Sequence, residues 1–187
     1  MPMNLLHRRL CSSRKWADAM AQYLPGQLDD LDLDDVLEIG PGFGATTRVI
    51  APRVRALTAV EIDEASVRGL RAEFGERVDI VHGDATALPF DDGRFSAVVC
   101  FTMLHHVPTP AAQDALFAEA RRVLRPGGTF RGVDSQLSIG FRLLHVADTM
   151  TVLDADTLDD RLHTAGFGDV THTLHPGERV HFTARRP

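Results

Sequence analysis

Cys11 and Cys100 are the only two cysteines in this chain of 187 residues. So few thiols exclude a disulfide framework and a CxxC metal site. Cys100 closes an apolar run and is expected as a buried thiol. Lysine is rarer still: Lys15 is the only one, so the basic residues are almost all arginine, which we read as compositional bias. No run approaches the ~20 apolar residues of a membrane-crossing helix. The N-terminal segment carries His7, Arg8, Arg9, Arg14 and Lys15 but no apolar stretch of signal-peptide length. A cytoplasmic protein with no membrane partner is the resulting expectation. Positive charge is also scarce overall. A formal net charge of −6 argues against a large basic surface, and no nucleic-acid partner is expected. What is present is globular: 44% hydrophobic and 25% charged residues, in a length suited to one domain with a sizeable core.

Residues 4–24 have leucines and Met20 at roughly helical spacing, ended by Pro25 and Gly26, and predict one amphipathic helix. Residues 27–35 are acidic and read as a solvated connector. From there a rhythm begins. Short apolar runs at 36–39, 56–60, 78–81, 95–101 and 129–133 alternate with helical patterns at 46–51, 64–74 and 111–124. Strands that are apolar throughout and alternate with helices indicate an α/β protein with a parallel sheet covered on both faces. Right-handed crossovers then make it doubly wound. A further helix over 157–165 precedes runs at 170–174 and 179–183. These flank the turn signal His175, Pro176, Gly177 and predict an antiparallel hairpin. The expected fold is a Rossmann-like, mostly parallel seven-stranded sheet. Residues 1–34 form an N-terminal helical lid and connector, 35–134 a cofactor-binding core, and 135–187 a short variable segment and hairpin, all in one domain.

The run Val36-Leu37-Glu38-Ile39-Gly40-Pro41-Gly42-Phe43-Gly44 is a buried strand entering a glycine-rich turn and a helix. Such glycines permit unusual backbone angles and close approach of a ligand. They also fit a dinucleotide loop or a plain structural turn. Glu38 discriminates. A pyrophosphate at a helix start wants positive potential, whereas an acid beside it suits a cationic amine. Glu61 ends the second strand, where a carboxylate can accept both hydroxyls of a ribose. Asp63 fits a charge at the N-terminus of the next helix.

With these residues the chain resembles class I S-adenosylmethionine-dependent methyltransferases, of the small-molecule branch that includes the ubiquinone/menaquinone-type enzymes. The segments His82-Gly83-Asp84-Ala85, Phe95 to His106, and Arg122-Val123-Leu124-Arg125-Pro126-Gly127-Gly128 carry the same resemblance, in order. It covers residues 35–134 and, more weakly, 157–184. The resemblance implies S-adenosylmethionine as cofactor and a set of cofactor-binding roles. Glu38 would hold the methionine amine, with Gly40 and Gly42 letting the backbone approach. Main-chain groups near Phe101 would help fix that amine. Ile62 would pack on the adenine, whose amino group Asp84 would accept, with the Ala85 amide at the ring edge.

Methyl transfer is an in-line displacement at a carbon activated by a sulfonium, which leaves as the neutral thioether, so the protein mainly aligns the acceptor and excludes water. A hydroxyl acceptor needs a base. His105 and His106, after the fourth strand, and Asp134, ending the fifth, are the candidate catalytic residues; packing or capping roles stand beside them. His145 lies in the variable segment, where an acceptor pocket would be built. The polar face of the first helix, including Arg8, would face the cofactor carboxylate or an anionic acceptor, or else be a solvated face, with Trp16 and Tyr23 as packing residues. No Asn-Pro-Pro-Tyr or Asp-Pro-Pro-Tyr motif follows the fourth strand, which speaks against amino-methylating DNA and glutamine enzymes. The acid of a magnesium-dependent catechol-type site is missing too. His172, His175 and His181 surround a hairpin, and no metal site is expected. A small-molecule acceptor is the expected partner, with the chain a monomer or a homodimer through the N-terminal helix or the exposed edge hairpin. The alternatives are a non-catalytic cofactor- or partner-binding module, and an NAD-dependent oxidoreductase.

Overall fold

A computed structural model describes residues 4–144, 146, 148, 150–175 and 179–187. His145 and the turn residues Pro176 and Gly177 lie outside the described residues. The chain forms α1 (Leu5–Cys11), α2 (Arg14–Tyr23), β1 (Asp35–Ile39), α3 (Thr47–Ile50), β2 (Ala56–Glu61), α4 (Glu64–Phe74) and β3 (Asp79–His82). There follow β4 (Phe95–Phe101), α5 (Pro110–Val123), β5 (Leu124–Ser135), α6 (Ile139–Leu144), α7 (Ala155–Thr164), β6 (Gly168–His175) and β7 (Arg179–Arg185).

Among the described residues these strands make one seven-stranded sheet in the order β3-β2-β1-β4-β5-β7-β6. The pairs from β3 to β5 are parallel. The last two, β5·β7 and β7·β6, are antiparallel, as the hairpin signal predicts. The order reverses direction between β1 and β4. At such a switch point the carboxyl ends of the two strands diverge and leave a crevice.

Alternation along the strands separates two cores. Val36 of β1 and Ala97 and Val99 of β4 face α2, α3 and α4, where Met20, Leu24, Ile50 and Leu70 fill the layer. Leu37, Ile39 and Val98 face the opposite way, onto Leu116 and Phe117 of α5 and Leu158 and Leu162 of α7. Gly132 of β5 lies opposite Phe182 of β7. A Cβ at that glycine would come within 2.2 Å of the Phe182 ring, so the ring occupies the space that the missing side chain leaves.

Two expectations need correction. Residues 4–24 are two helices. The backbone breaks at Ser12 and Ser13 because their hydroxyls compete for helix ends: Ser12 Oγ donates to the Arg8 carbonyl at 2.7 Å, and Ser13 Oγ accepts the Trp16 amide at 3.2 Å. Residues 27–35 are also more than a solvated connector. Asp30 makes paired contacts to Arg131 at 2.5 and 2.9 Å, Asp32 binds Arg125, and Asp34 binds Arg55 at 2.5 Å. The arginines stand 21 to 101 residues away, beyond the reach of local patterning.

Candidate cofactor and acceptor site

The loop after β1 is shaped by Gly40, Gly42 and Gly44, with φ of +68°, +55° and +76°. A Cβ at Gly40 would meet Met103 Cγ at 2.3 Å. The loop therefore touches the β4 crossover directly, and only glycine serves there. Beneath it, Glu38 is fully buried. Its carboxylate accepts the hydroxyls of Thr46 and of Thr47, the latter at 2.7 Å. Burial raises its pKa to about 7, against the opposing effect of the two hydroxyls. The carboxylate thus sits behind the glycine loop, committed to threonines, rather than on the wall of the crevice.

Glu61, at the end of β2, reaches that wall. Its Oε2 accepts the Gly42 amide at 2.9 Å and its Oε1 accepts the Asp63 amide at 2.9 Å. Each oxygen keeps a second acceptor direction toward the cavity. Asp63 caps α4 through the Ser66 amide, and that bond, aided by the positive charge of Arg8, lowers its pKa.

A cavity of about 340 Å³ runs along the carboxyl ends of β1, β2 and β4. Of the cofactor residues expected from sequence, Gly40, Gly42, Glu61, Ile62, Asp84, Ala85 and Phe101 all line it. Asp84 Oδ1 is held by the Thr86 amide and hydroxyl, each at 2.8 Å. Thr102, also on the wall, adopts φ +55°. A threonine in the left-handed region is a strained conformation of the kind that collects at functional sites. Arg8 and Cys11 of α1 and Trp16 of α2 close the open side. Arg8 lies over the Phe43 ring at 5.8 Å.

The lining also includes an apolar group, Met103, Val107, Pro108, Ala112 and Leu116, and His106. His105 and Asp134 do not line it. Both are buried, with His105 Nδ1 2.5 Å from Asp134 Oδ1. The same carboxylate accepts the backbone amides of His105 at 2.9 Å and Ser135 at 2.6 Å. The His106 ring packs against His105, 4.1 Å between centroids, and against His7 of α1 at 5.2 Å. His7 is itself held by Asp148, Nδ1 to Oδ2 2.9 Å. Two buried Asp–His pairs therefore flank the His106 imidazole on the cavity wall.

Sequence reasoning missed Asp148, Cys11 and the apolar wall. Asp148 lies in an irregular stretch with no periodic pattern around it. The Thr46–Thr47 pair carried a readable signal, two hydroxyls opening a helix eight residues after a buried acid. Tyr23 packs edge-on against His181, with its hydroxyl 2.8 Å from His181 Nε2. Among the described residues, no group of three or more metal-binding side chains comes together.

Fold and crevice together define a Rossmann-like α/β protein with a cavity at the switch point. A family model for a methyltransferase domain matches residues 37–131, half of the chain, and the chain belongs to this family of S-adenosylmethionine-dependent proteins. It is 36% identical over 151 residues to a probable S-adenosylmethionine-dependent methyltransferase of Mycolicibacterium smegmatis, covering 75% of this chain and 54% of that one. It is 35% identical over 97 residues to the ubiquinone biosynthesis O-methyltransferase of Azotobacter vinelandii, covering 50% and 40%. A shorter match, 48% over 59 residues, joins it to the ribosomal RNA small subunit methyltransferase A of Cupriavidus necator, covering 31% and 21%. The chain thus spans about half or less of the length of these relatives. The fold is that of a Pyrococcus horikoshii OT3 protein of known structure, with a TM-score of 0.80 at 17% identity over 95% of this chain and 94% of that one.

Proposed function

We propose that the protein transfers a methyl group from S-adenosylmethionine to a small, largely apolar acceptor, and that it does so as a single methyltransferase domain. The carrying observation is that one cavity is lined by the carboxylates of Glu61, Asp63 and Asp84 and by an apolar group that includes the His106 imidazole.

The residues fit the cofactor. Glu61 offers two oxygens, already oriented by backbone amides, to a vicinal diol. Glu61, Asp63 and Asp84 make their part of the lining negative, which favours a ligand bearing an ammonium and a sulfonium over a pyrophosphate. Glu38 acts at one remove, fixing the glycine loop through Thr46 and Thr47. S-adenosylmethionine supplies an activated methyl group on positively charged sulfur. The protein's own part is to orient the acceptor against the apolar wall and to exclude water beneath α1 and α2. The His106 imidazole takes the proton of an acceptor hydroxyl. His105 and Asp134 are positioning residues: the buried carboxylate pins the turn that carries His106. The small-molecule acceptor is supported by the apolar part of the lining, by the ubiquinone-type relative, and by a net charge of −6. That charge is ill suited to a phosphate backbone, and only a fifth of the ribosomal RNA enzyme is matched.

Calorimetric titration with S-adenosylmethionine, S-adenosylhomocysteine and NAD tests the cofactor. Binding of the first two and not of NAD is the expected result; no binding of either sulfur compound would refute the proposal. Release of S-adenosylhomocysteine in the presence of hydroxylated aromatic acceptors then tests turnover. His106→Ala should abolish it at unchanged cofactor affinity, and full activity of that variant would remove His106 from the mechanism.

A further inference from the structure

Seven large hydrophobic side chains are strongly exposed among the described residues, and five of them belong to two segments. Leu6 and Leu10 are on α1; Leu137, Leu143 and Val146 are on or beside α6. Their exposures run from 39% to 66%. The segments are more than a hundred residues apart in sequence but joined in space. The Asn4 side-chain amide donates to the Val146 carbonyl at 3.1 Å and to Asp148 at 3.2 Å, and the Asn4 backbone amide donates to Asp148 at 2.6 Å. The first segment borders the cavity through Arg8 and Cys11 of α1, and the second packs behind the cavity wall through Phe141 of α6, whose ring stands 5.0 Å from that of His105.

Charge separates in the same two segments. Residues 1–17 hold Arg8, Arg9, Arg14 and Lys15 and no acid, and residues 135–147 hold Arg142 and no acid. All five cations are exposed. The nearby carboxylate of Asp148 is buried against His7 and Asn4, and the first acid of α2, Asp18, lies 4.0 Å from Arg14. A protein of net charge −6 therefore gathers five exposed cations and five exposed aliphatic side chains on two segments joined in space, with Asp18 beside Arg14 as a neighbouring acid.

We infer that this face docks on the surface of an anionic lipid bilayer and sets the cavity mouth against the lipid. Aliphatic side chains gain by entering the interface, and basic residues around them are drawn to anionic headgroups. A nucleic-acid surface would present aromatic side chains for base stacking; the five exposed side chains here are leucines and a valine. This adds a peripheral contact to a chain in which no helix of the described residues is long and apolar enough to cross a membrane. The expectation of no membrane partner rested on runs in sequence, and this patch is assembled from two separate segments.

The test is co-sedimentation of the full chain with vesicles of phosphatidylcholine, with and without phosphatidylglycerol. We expect binding to the anionic vesicles alone, weakened by high salt. The variants Leu143→Asp and Arg9→Glu/Arg142→Glu should each reduce it at least tenfold. Calorimetry with S-adenosylhomocysteine shows in the same variants that fold and cofactor site are intact, so a failure of the methyltransferase reading is seen separately. Equal binding to both vesicles, no binding, or variants that bind like wild type would overturn the inference. So would a dimer in light scattering that Leu143→Asp dissociates without any vesicle binding, or binding of an RNA fragment in place of vesicles.

Discussion

Glu61→Gln isolates the chemistry of the cofactor site with a change of one atom. In the wild-type protein the carboxylate accepts two amides, Gly42 on one oxygen and Asp63 on the other, both at 2.9 Å. A glutamine has one acceptor oxygen and one donor nitrogen, so one amide must face an NH2 group. It also presents a donor where a ribose diol would need an acceptor. Loss of one charge-assisted hydrogen bond to the ligand is worth ~1.5–3 kcal/mol, which is roughly a tenfold to hundredfold rise in Kd. Calorimetric titration with S-adenosylhomocysteine measures it directly. Thermal unfolding of the free protein, run in parallel, separates ligand loss from the ~1–3 kcal/mol that an unsatisfied amide costs the fold. A Glu61→Gln variant that binds within twofold of wild type would show that the carboxylate does not carry the ligand.

Three other outcomes follow from the geometry. Glu38, with a folded pKa near 7 against an ordinary 4.5, holds a proton in the folded state that the unfolded chain releases. Its contribution to stability is complete below pH 4.5 and is lost as pH rises through 7, by about 3 kcal/mol. Urea denaturation from pH 4.5 to 8 should show this fall in wild type and its absence in Glu38→Gln; parallel curves would refute it. Asp134→Ala strips the acceptor from two amides and an imidazole in the core and should cost about 3–5 kcal/mol by urea denaturation, whereas a loss under 1 kcal/mol would mean that water replaces the carboxylate. Removing residues 1–13 takes Arg8 and Cys11 from the cavity wall and leaves Met20 and Leu24 in the core. It should raise the Kd for S-adenosylmethionine about fivefold, ~1 kcal/mol; unchanged affinity would sink the role of α1 as a lid.

Much of the core was legible because its signals are local. Apolar runs such as 95–101 coincide with β4, and Asp63 before Glu64 marks the start of α4 as a cap should. Seven of the eight cofactor residues expected from sequence line one cavity, since a strand end and the loop behind it are fixed by short-range pattern. Glu38 was placed at the right strand end but on its hidden side: which way a carboxylate turns depends on whether nearby hydroxyls compete for it, here Thr46 and Thr47. His105, His106 and Asp134 meet as a group, yet only His106 reaches the cavity, because consecutive residues of a tight turn point in different directions. Asp148 and the apolar–basic face were not legible at all. Their meaning comes from contacts with Asn4 and His7, more than 140 residues away.

The Phe182 ring seated over Gly132 works as a peg in a socket, and it sets register. Sliding β7 by one residue along β5 would place a bulky ring against a neighbour that has a Cβ and would turn every inward side chain of β7 outward. Two residues beyond the socket, Asp134 pairs with Val180. The hairpin at the edge of the sheet thus settles where the carboxylate behind His106 stands, although it touches no part of the cavity. A chimera that borrows its last two strands from a relative must bring residue 132 with them, or the fault will surface at His106.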